Sequence, residues 1–200
     1  MKHLAKLVTL LALCITGGLT VAQTSNMKKE IDWDLLGSAW EEYVNNPTED
    51  NAFQMYRILP NDGHVSKENK DKSIETSIIR NLNIIQQQIR KESVNSTRLA
   101  FRLFTISDGY FSEELQVIIG ELITINPELF LTELDQHLQL VMLPNLLCNI
   151  DYRKYDNVTS QKLEAVKRIE SLKTIDDCNL AEIKWQCICE LNKFLDNLSN

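Results

Sequence analysis

The chain has 200 residues, of which 44% are hydrophobic and 24% are charged, and its formal net charge is −7. This length suits one domain with a single core, and the apolar content is that of a folded protein. Phosphates would repel so acidic a chain, so we predict that it does not bind nucleic acid.

The first 22 residues have the composition of a secretory signal peptide. Two lysines precede an apolar run that ends at Ile15, and small residues lead to Ala22 at the cleavage position. We therefore predict cleavage near Ala22 and a periplasmic or secreted protein. Lipidation at Cys14 is the alternative, but Leu13 stands where a lipid-modification site needs a small residue.

The mature chain would comprise residues 23–200, and its net charge would be −9 because the leader carries two lysines and no acid. No later apolar run approaches membrane-spanning length, so we predict no membrane span. Residues 23–30 are polar and are predicted to form a loose N-terminal segment. The remainder is predicted to be a single helical domain.

Helices are recognised from apolar residues at spacings of three and four. The first predicted helix covers residues 31–45 with Asp32 as its N-cap. Thr48 opens a second helix, which Pro60 stops. An apolar stripe over residues 74–89 predicts one further helix of about four turns.

The stretch from Thr97 to Gln136 is predicted to organise the chain as three short helices separated by two corners. Gly109 suits a helix C-terminus because glycine adopts positive φ freely, and Ser112 would cap the helix that follows. At the second corner, Asn126 is a favourable N-cap and Pro127 suits the first helical position.

The last third begins with an apolar run, residues 138–147, and a polar loop, residues 151–157. A helix beginning at residues 159–160 then follows, and residues 176–177 open the last helix. The buried stripe predicted for the first of these two helices is Leu163, Val166, Ile169 and Leu172. No segment alternates with a period of two residues. The chain is therefore predicted to be all-α, with eight to ten helices in stacked hairpins and no sheet.

Two short segments resemble each other. Residues 43–47 (YVNNP) and residues 123–127 (ITINP) each close one helix and open another, and they lie 80 residues apart. This is twice the roughly 40-residue period of HEAT-type repeats. The rhythm of helix pairs resembles HEAT-like and armadillo-like α-solenoids. The Ser-Asp-Gly corner and the Asn-Pro helix start also resemble an uncharacterised family of exported bacterial helical proteins, a resemblance that implies no function.

Four cysteines remain in the mature chain, and all lie in its last third. Cys187 and Cys189 point to nearly opposite sides of a helix, so they would not bridge each other. We predict a disulfide from Cys148 to Cys187 or Cys189, with Cys178 pairing with the other. The alternative is a single bridge with the remaining thiols buried as small apolar groups.

Metal binding and catalysis have little support in the sequence. Cys187 and Cys189 with His137 or Cys178 do not have the spacing of known metal sites. The mature chain has only two histidines, His137 and His64, and neither has a partner for nucleophilic catalysis close in sequence. We therefore predict no metal, no cofactor and no enzymatic activity.

The leading hypothesis is an exported, non-enzymatic module of the protein-interaction or inhibitor/immunity type. Its candidate surface combines aromatic and cationic side chains, the chemistry that is enriched at interfaces: Tyr152, Arg153, Lys154 and Tyr155. The alternative is a periplasmic enzyme or ligand-binding protein with an acidic pocket. The carboxylates of that pocket would come from Asp108, Glu113, Glu114 and Glu121.

Overall fold

The described residues of the computed structural model, 31–61, 63–151 and 153–199, contain helices and no strand, which confirms the all-α class. The proposed leader, Cys14 and residues 23–30 lie outside the described residues. Over the described ranges there are ten α-helices: α1 (Trp33–Asn45), α2 (Glu49–Ile58), α3 (Lys72–Arg80), α4 (Leu82–Ile89), α5 (Val94–Leu103), α6 (Gly109–Ile125), α7 (Pro127–His137), α8 (Leu143–Cys148), α9 (Val158–Lys173) and α10 (Ala181–Asn197).

Three of the predicted N-caps are confirmed by hydrogen bonds from backbone N–H groups to the capping side chain. The carboxylate of Asp32 accepts from the third residue of α1 at 3.0 Å, and the hydroxyl of Thr48 accepts at the start of α2 at 3.2 Å. The amide oxygen of Asn126 accepts at 2.9 Å where Pro127 opens α7. Each cap satisfies an N–H group that has no partner within its helix.

Three predicted boundaries are wrong, and one of them is the start of α10, which begins at Ala181 and not at residues 176–177. Helix α6 begins at Gly109 and follows Asp108, so Ser112 lies inside the helix instead of capping it. Gly109 has φ +45°, which shows that it enters the helix through a conformation that suits glycine. The helix predicted over residues 74–89 is two helices, because the side-chain amide of Asn81 donates to the carbonyl of Ser77 at 2.9 Å and interrupts the regular pattern.

Helix α6 lies at the centre of the packing. It contacts α4, α5, α7, α8 and α9, and residues 115–120 are buried without interruption. Because neighbouring helices cover it on several sides, its sequence is apolar around most of its circumference. Any polar group that reaches α6 from a neighbouring helix must therefore find its partner in the interior.

Many of the other contacts follow the order of the chain, and in addition α8 packs on α10 and α5 packs on α7. Consecutive helices pair as α1 with α2, α4 with α5, α6 with α7 and α9 with α10. Between pairs, α1 contacts α3, α2 contacts α5, α4 contacts α6, and α6 contacts α9. Stacked helical hairpins would give this order, while the HEAT-like or armadillo-like repeat stays a prediction. Among the described helices, α1 and α9 lie toward opposite ends of this order, and each has a side that faces no other described pair.

Candidate interaction surface on the last helical hairpin

The carboxylates of the predicted acidic pocket do not converge. Asp108 accepts a hydrogen bond from the ammonium of Lys70 at 3.1 Å. Glu113 lines a separate cavity of about 860 Å³ between α6, α8 and α10. Glu121 lies roughly 20 Å from Asp108 along α6, at a rise of about 1.5 Å per residue. Asp108 and Glu121 therefore cannot act together on one small substrate.

Glu121 is held as a fixed anion. Its oxygens accept from Nε of Arg90 at 2.8 Å, from Nη2 of Arg90 at 2.9 Å, from Gln86 at 3.1 Å and from Lys154 at 3.0 Å. Burial favours a raised pKa of Glu121, but the hydrogen bonds and charges of Arg90 and Lys154 outweigh it and place that pKa below its ordinary value. Such a carboxylate is a poor general acid or base near neutral pH.

The predicted interaction loop is tied to the helices beneath it, and its first residue, Tyr152, lies outside the described residues. Arg153 donates to Asp151 at 2.8 Å and to Glu114 at 3.4 Å, while Lys154 reaches Glu121. The hydroxyl of Tyr155 donates to a buried carboxylate of α9 at 2.9 Å. The guanidinium of Arg153 and the ammonium of Lys154 remain about half exposed, whereas Tyr155 packs inward.

Helix α9 buries an ion pair against α6. Nε of Arg168 donates to Glu164 at 3.1 Å, and its Nη1 donates to the carbonyl of Leu147 at 2.7 Å. The guanidinium lies over Gly120 of α6, where an added Cβ would come within 3.1 Å of both Nη atoms. Glycine at this position gives the guanidinium the room it occupies. The i, i+4 spacing of a glutamate and an arginine was the only sequence signal for this pair.

The ion pair sets the orientation of α9 and makes its predicted stripe half wrong. Ile169 and Leu172 are buried as predicted, but Leu163 is 67% exposed and Val166 is 45% exposed. Successive helical residues turn by about 100°, so the side of α9 that carries Glu164 and Arg168 is nearly opposite the side that carries Val166. Because charged residues occupy the interior side, two apolar residues lie at the surface.

Basic residues outnumber acidic residues around the exposed apolar residues of α9. Residues 151–173 include six basic and four acidic residues, in a chain whose net charge is −7. Within the described part of the chain, Lys162 and Lys167 make no ion pair. We call the patch formed by Lys162, Leu163, Val166 and Lys167 the α9 face. Glu170 is exposed on the same side of the helix and pairs with Lys173 at 2.9 Å, so the patch is apolar with a net positive charge.

A second polar cluster lies between α2, α5 and α7 and includes His137. Nδ1 of His137 donates to the carbonyl of Glu133 at 2.8 Å, which leaves Nε2 to accept from the hydroxyl of Tyr56 at 3.4 Å. Arg102 donates to that hydroxyl and lies over the Tyr56 ring at 4.2 Å. These partners come from distant parts of the chain, so the sequence alone gave no indication of them.

The ionisation of this cluster follows from burial. Burial lowers the pKa of His137, and the charges of Arg102 and Arg98 lower it further. Burial raises the pKa of Glu133, although Arg98 donates to it at 2.9 Å and opposes the rise. The imidazole is therefore neutral near pH 7, and its hydrogen bonds go to a carbonyl and a phenol. The arrangement holds three helices together and presents no activated nucleophile.

Cys148, Cys178, Cys187 and Cys189 are free thiols in the structure, so the disulfide from Cys148 stays a prediction. Cys187 and Cys189 lie on α10 as predicted, and Cys187 is fully buried on the side of α10 that packs into the core. Burial raises the pKa of Cys187 to about 12 and that of Cys148 to about 11, so both thiols are poor nucleophiles.

The other predicted functional groups do not assemble into a site. Nδ1 of His64 lies 2.9 Å from the carbonyl of Phe104, in the loop before α3. Within the described ranges, no group of three or more His, Cys, Asp or Glu side chains could hold a metal ion. None of the helices described is long and apolar enough to cross a membrane.

Comparisons with known proteins found no match. No protein-family model, curated protein or solved structure matches the chain. The functional argument therefore depends on the geometry of the molecule itself.

Proposed function

We propose that this chain is an exported, non-enzymatic helical protein that binds another protein through the α9 face. One observation carries the proposal: α9 exposes Leu163 and Val166 while it buries Glu164 and Arg168. Scattered apolar residues are normal on protein surfaces. Leu163 and Val166, however, lie next to each other on the side of α9 opposite its buried ion pair, and we take this as a sign that a partner covers that side.

The energetic argument concerns the two exposed side chains. Full burial of a leucine or valine side chain stabilises a protein by roughly 1.5–3 kcal/mol. The free chain lacks this contribution at Leu163 and Val166, and a partner with an apolar surface would supply it. Lys162 and Lys167 would favour an acidic partner and raise its rate of encounter.

The rest of the proposal follows from the leader and from the chemistry of the buried groups. The basic start, apolar run and small residues before Gln23 favour export. Glu121 and His137 are both held by structural hydrogen bonds, which favours a binding role over catalysis. Because Asp108 and Glu121 are far apart on α6, they do not support an enzyme or ligand-binding protein with an acidic pocket around those two residues.

Site-specific photo-crosslinking in the producing cells tests this proposal. A photoreactive amino acid is placed at Leu163, at Val166 or, as a matched control, at Met142, which is 69% exposed and lies outside the α9 face. We expect discrete adducts of the same mass from positions 163 and 166, and none of that mass from position 142. Equal labelling at all three positions, or no adduct at positions 163 and 166, would contradict the proposal.

A further inference from the structure

We propose that the α9 face binds a second copy of this chain, whose helix α1 docks onto it head to tail. This inference depends on the proposed function, since it names the partner of the same surface. Its motivation is a second exposed patch, at the other end of the packing order, whose charge is opposite to that of the α9 face.

The first hairpin is strongly acidic. Residues 31–61 include six acidic residues and a single basic residue, Arg57. Leu35 on α1 is 53% exposed, and Asp34 and Glu42 beside it are also exposed. We call the patch formed by Asp34, Leu35, Ser38 and Glu42 the α1 face. It combines an apolar residue with two carboxylates, as the α9 face combines two apolar residues with two ammonium groups.

The α1 face points away from the rest of the helices. Gly37 lies on the side of α1 that approaches α3, because a Cβ at that position would come within 3.1 Å of Ile74. Leu35 is two residues before Gly37, and Glu42 is two residues before Val44, which lines the cavity between α1 and α3. Two residues correspond to about 200° around a helix, so Leu35 and Glu42 lie on the opposite side.

The same geometry holds for helix α9. The side of α9 that carries Arg168 is in contact with α6, and Val166 lies about 200° around the helix from Arg168. Both end helices therefore turn an exposed apolar residue and a set of charges away from the stack. In a stack of hairpins, such end surfaces are the positions where another layer could be added.

Charge selects the head-to-tail arrangement over a two-fold one. Two α9 faces would place Lys162 and Lys167 opposite the same lysines, and two α1 faces would place carboxylates opposite carboxylates. Docking an α1 face on an α9 face instead pairs carboxylates with ammonium groups and brings Leu35 against Leu163 and Val166. A head-to-tail contact of this kind is heterologous, so it extends into chains of molecules or closes into a ring.

Sedimentation velocity on the purified protein and two charge-reversed variants tests the proposal. One variant is D34K/E42K, whose end faces are both basic, and the other is K162E/K167E, whose end faces are both acidic. All four substituted residues lie at the surface or partly exposed, so far-UV circular dichroism should show unchanged helix content. The wild-type protein is expected to associate with increasing concentration, at least tenfold less strongly in 0.5 M salt because exposed charges are screened.

Each variant alone is expected to self-associate at least tenfold more weakly than the wild type, and an equimolar mixture of the two is expected to recover association. Recovery would result from pairing of each basic end face with an acidic one. A monomeric wild-type protein up to millimolar concentration, or variants that associate as strongly as the wild type, would overturn the inference.

If the wild type is monomeric while crosslinks from Leu163 lead to a different protein, the proposed function stands without this partner. If neither association nor crosslinks occur, both proposals fail.

Discussion

Replacement of Arg168 by methionine is expected to lower the free energy of unfolding by about 3–5 kcal/mol, the usual cost of removing one partner from a buried ion pair. The loss arises because Glu164 would stay buried without the guanidinium that donates to it at 3.1 Å. The carbonyl of Leu147 would also lose its donor. Urea unfolding followed by circular dichroism at 222 nm measures the change.

The matched control is the double variant E164M/R168M. Replacing a whole buried ion pair by apolar residues of similar size is often close to neutral. The double variant is therefore expected to recover most of the stability that R168M loses, although the hydroxyl of Tyr155 would lack its acceptor. Exposed ion pairs contribute no more than about 1 kcal/mol to the free energy of unfolding. A loss below about 1 kcal/mol for R168M would therefore show that Arg168 is not buried.

Replacement of Arg98 by methionine is expected to lower the free energy of unfolding by about 2–3 kcal/mol at pH 8. This is less than a fully buried pair costs, because the Arg98 side chain is 33% exposed while that of Glu133 is 1% exposed. Without Arg98, the Glu133 carboxylate would have no cation to offset its burial. Its pKa, already raised by burial, would rise further.

The loss in R98M is expected to depend on pH. A carboxyl whose pKa is raised by folding stabilises the protein most below its unfolded pKa, and this contribution disappears as the pH rises through the folded pKa. The deficit of R98M relative to the wild type should therefore be larger at pH 8 than at pH 5. When R98M/E133Q is compared with E133Q, position 133 cannot ionise in either protein, so this deficit should depend less on pH than that of R98M. Equal deficits for R98M at both pH values would contradict the raised pKa of Glu133.

The wild-type protein carries an opposing dependence from His137. Burial lowers the pKa of His137 in the folded protein. As the pH falls below about 6.5, the unfolded chain therefore binds a proton at His137 more readily than the folded chain does. Stability is therefore lost on that side of the pH range. Because the charge of Arg98 also lowers the pKa of His137, removing Arg98 changes both groups. The pair R98M/E133Q and E133Q keeps His137, so it measures the contribution of His137 and separates it from that of Glu133.

Local features of the sequence were sufficient for the fold class and for several helix boundaries. Asp32, Thr48 and Asn126 cap helices because their side chains reach N–H groups only a few residues away. Such interactions depend on neighbouring residues alone. Where a boundary was wrong, as at Asn81, a side chain competed with the backbone in a way that apolar spacing does not reveal.

The orientation of α9 could not be obtained from apolar spacing. A leucine and a valine at helical spacing predict a buried stripe, and in most helices that prediction is correct. In α9 the interior position goes to Arg168, because Gly120 on another helix leaves room for a guanidinium and Leu147 supplies a carbonyl. These partners are 48 and 21 residues away in the chain. Only the three-dimensional arrangement brings them together.

The stability of the variant L163E tests the central claim, that α9 turns its charged residues inward and its apolar residues outward. Leu163 is exposed, so a glutamate there is expected to change the free energy of unfolding by no more than about 0.5 kcal/mol. In the control I169E, a charge would enter the core at a residue that is 5% exposed, and a loss above about 3 kcal/mol is expected. A loss for L163E as large as that for I169E would contradict the account, because Leu163 would then belong to the core and the α9 face would not exist.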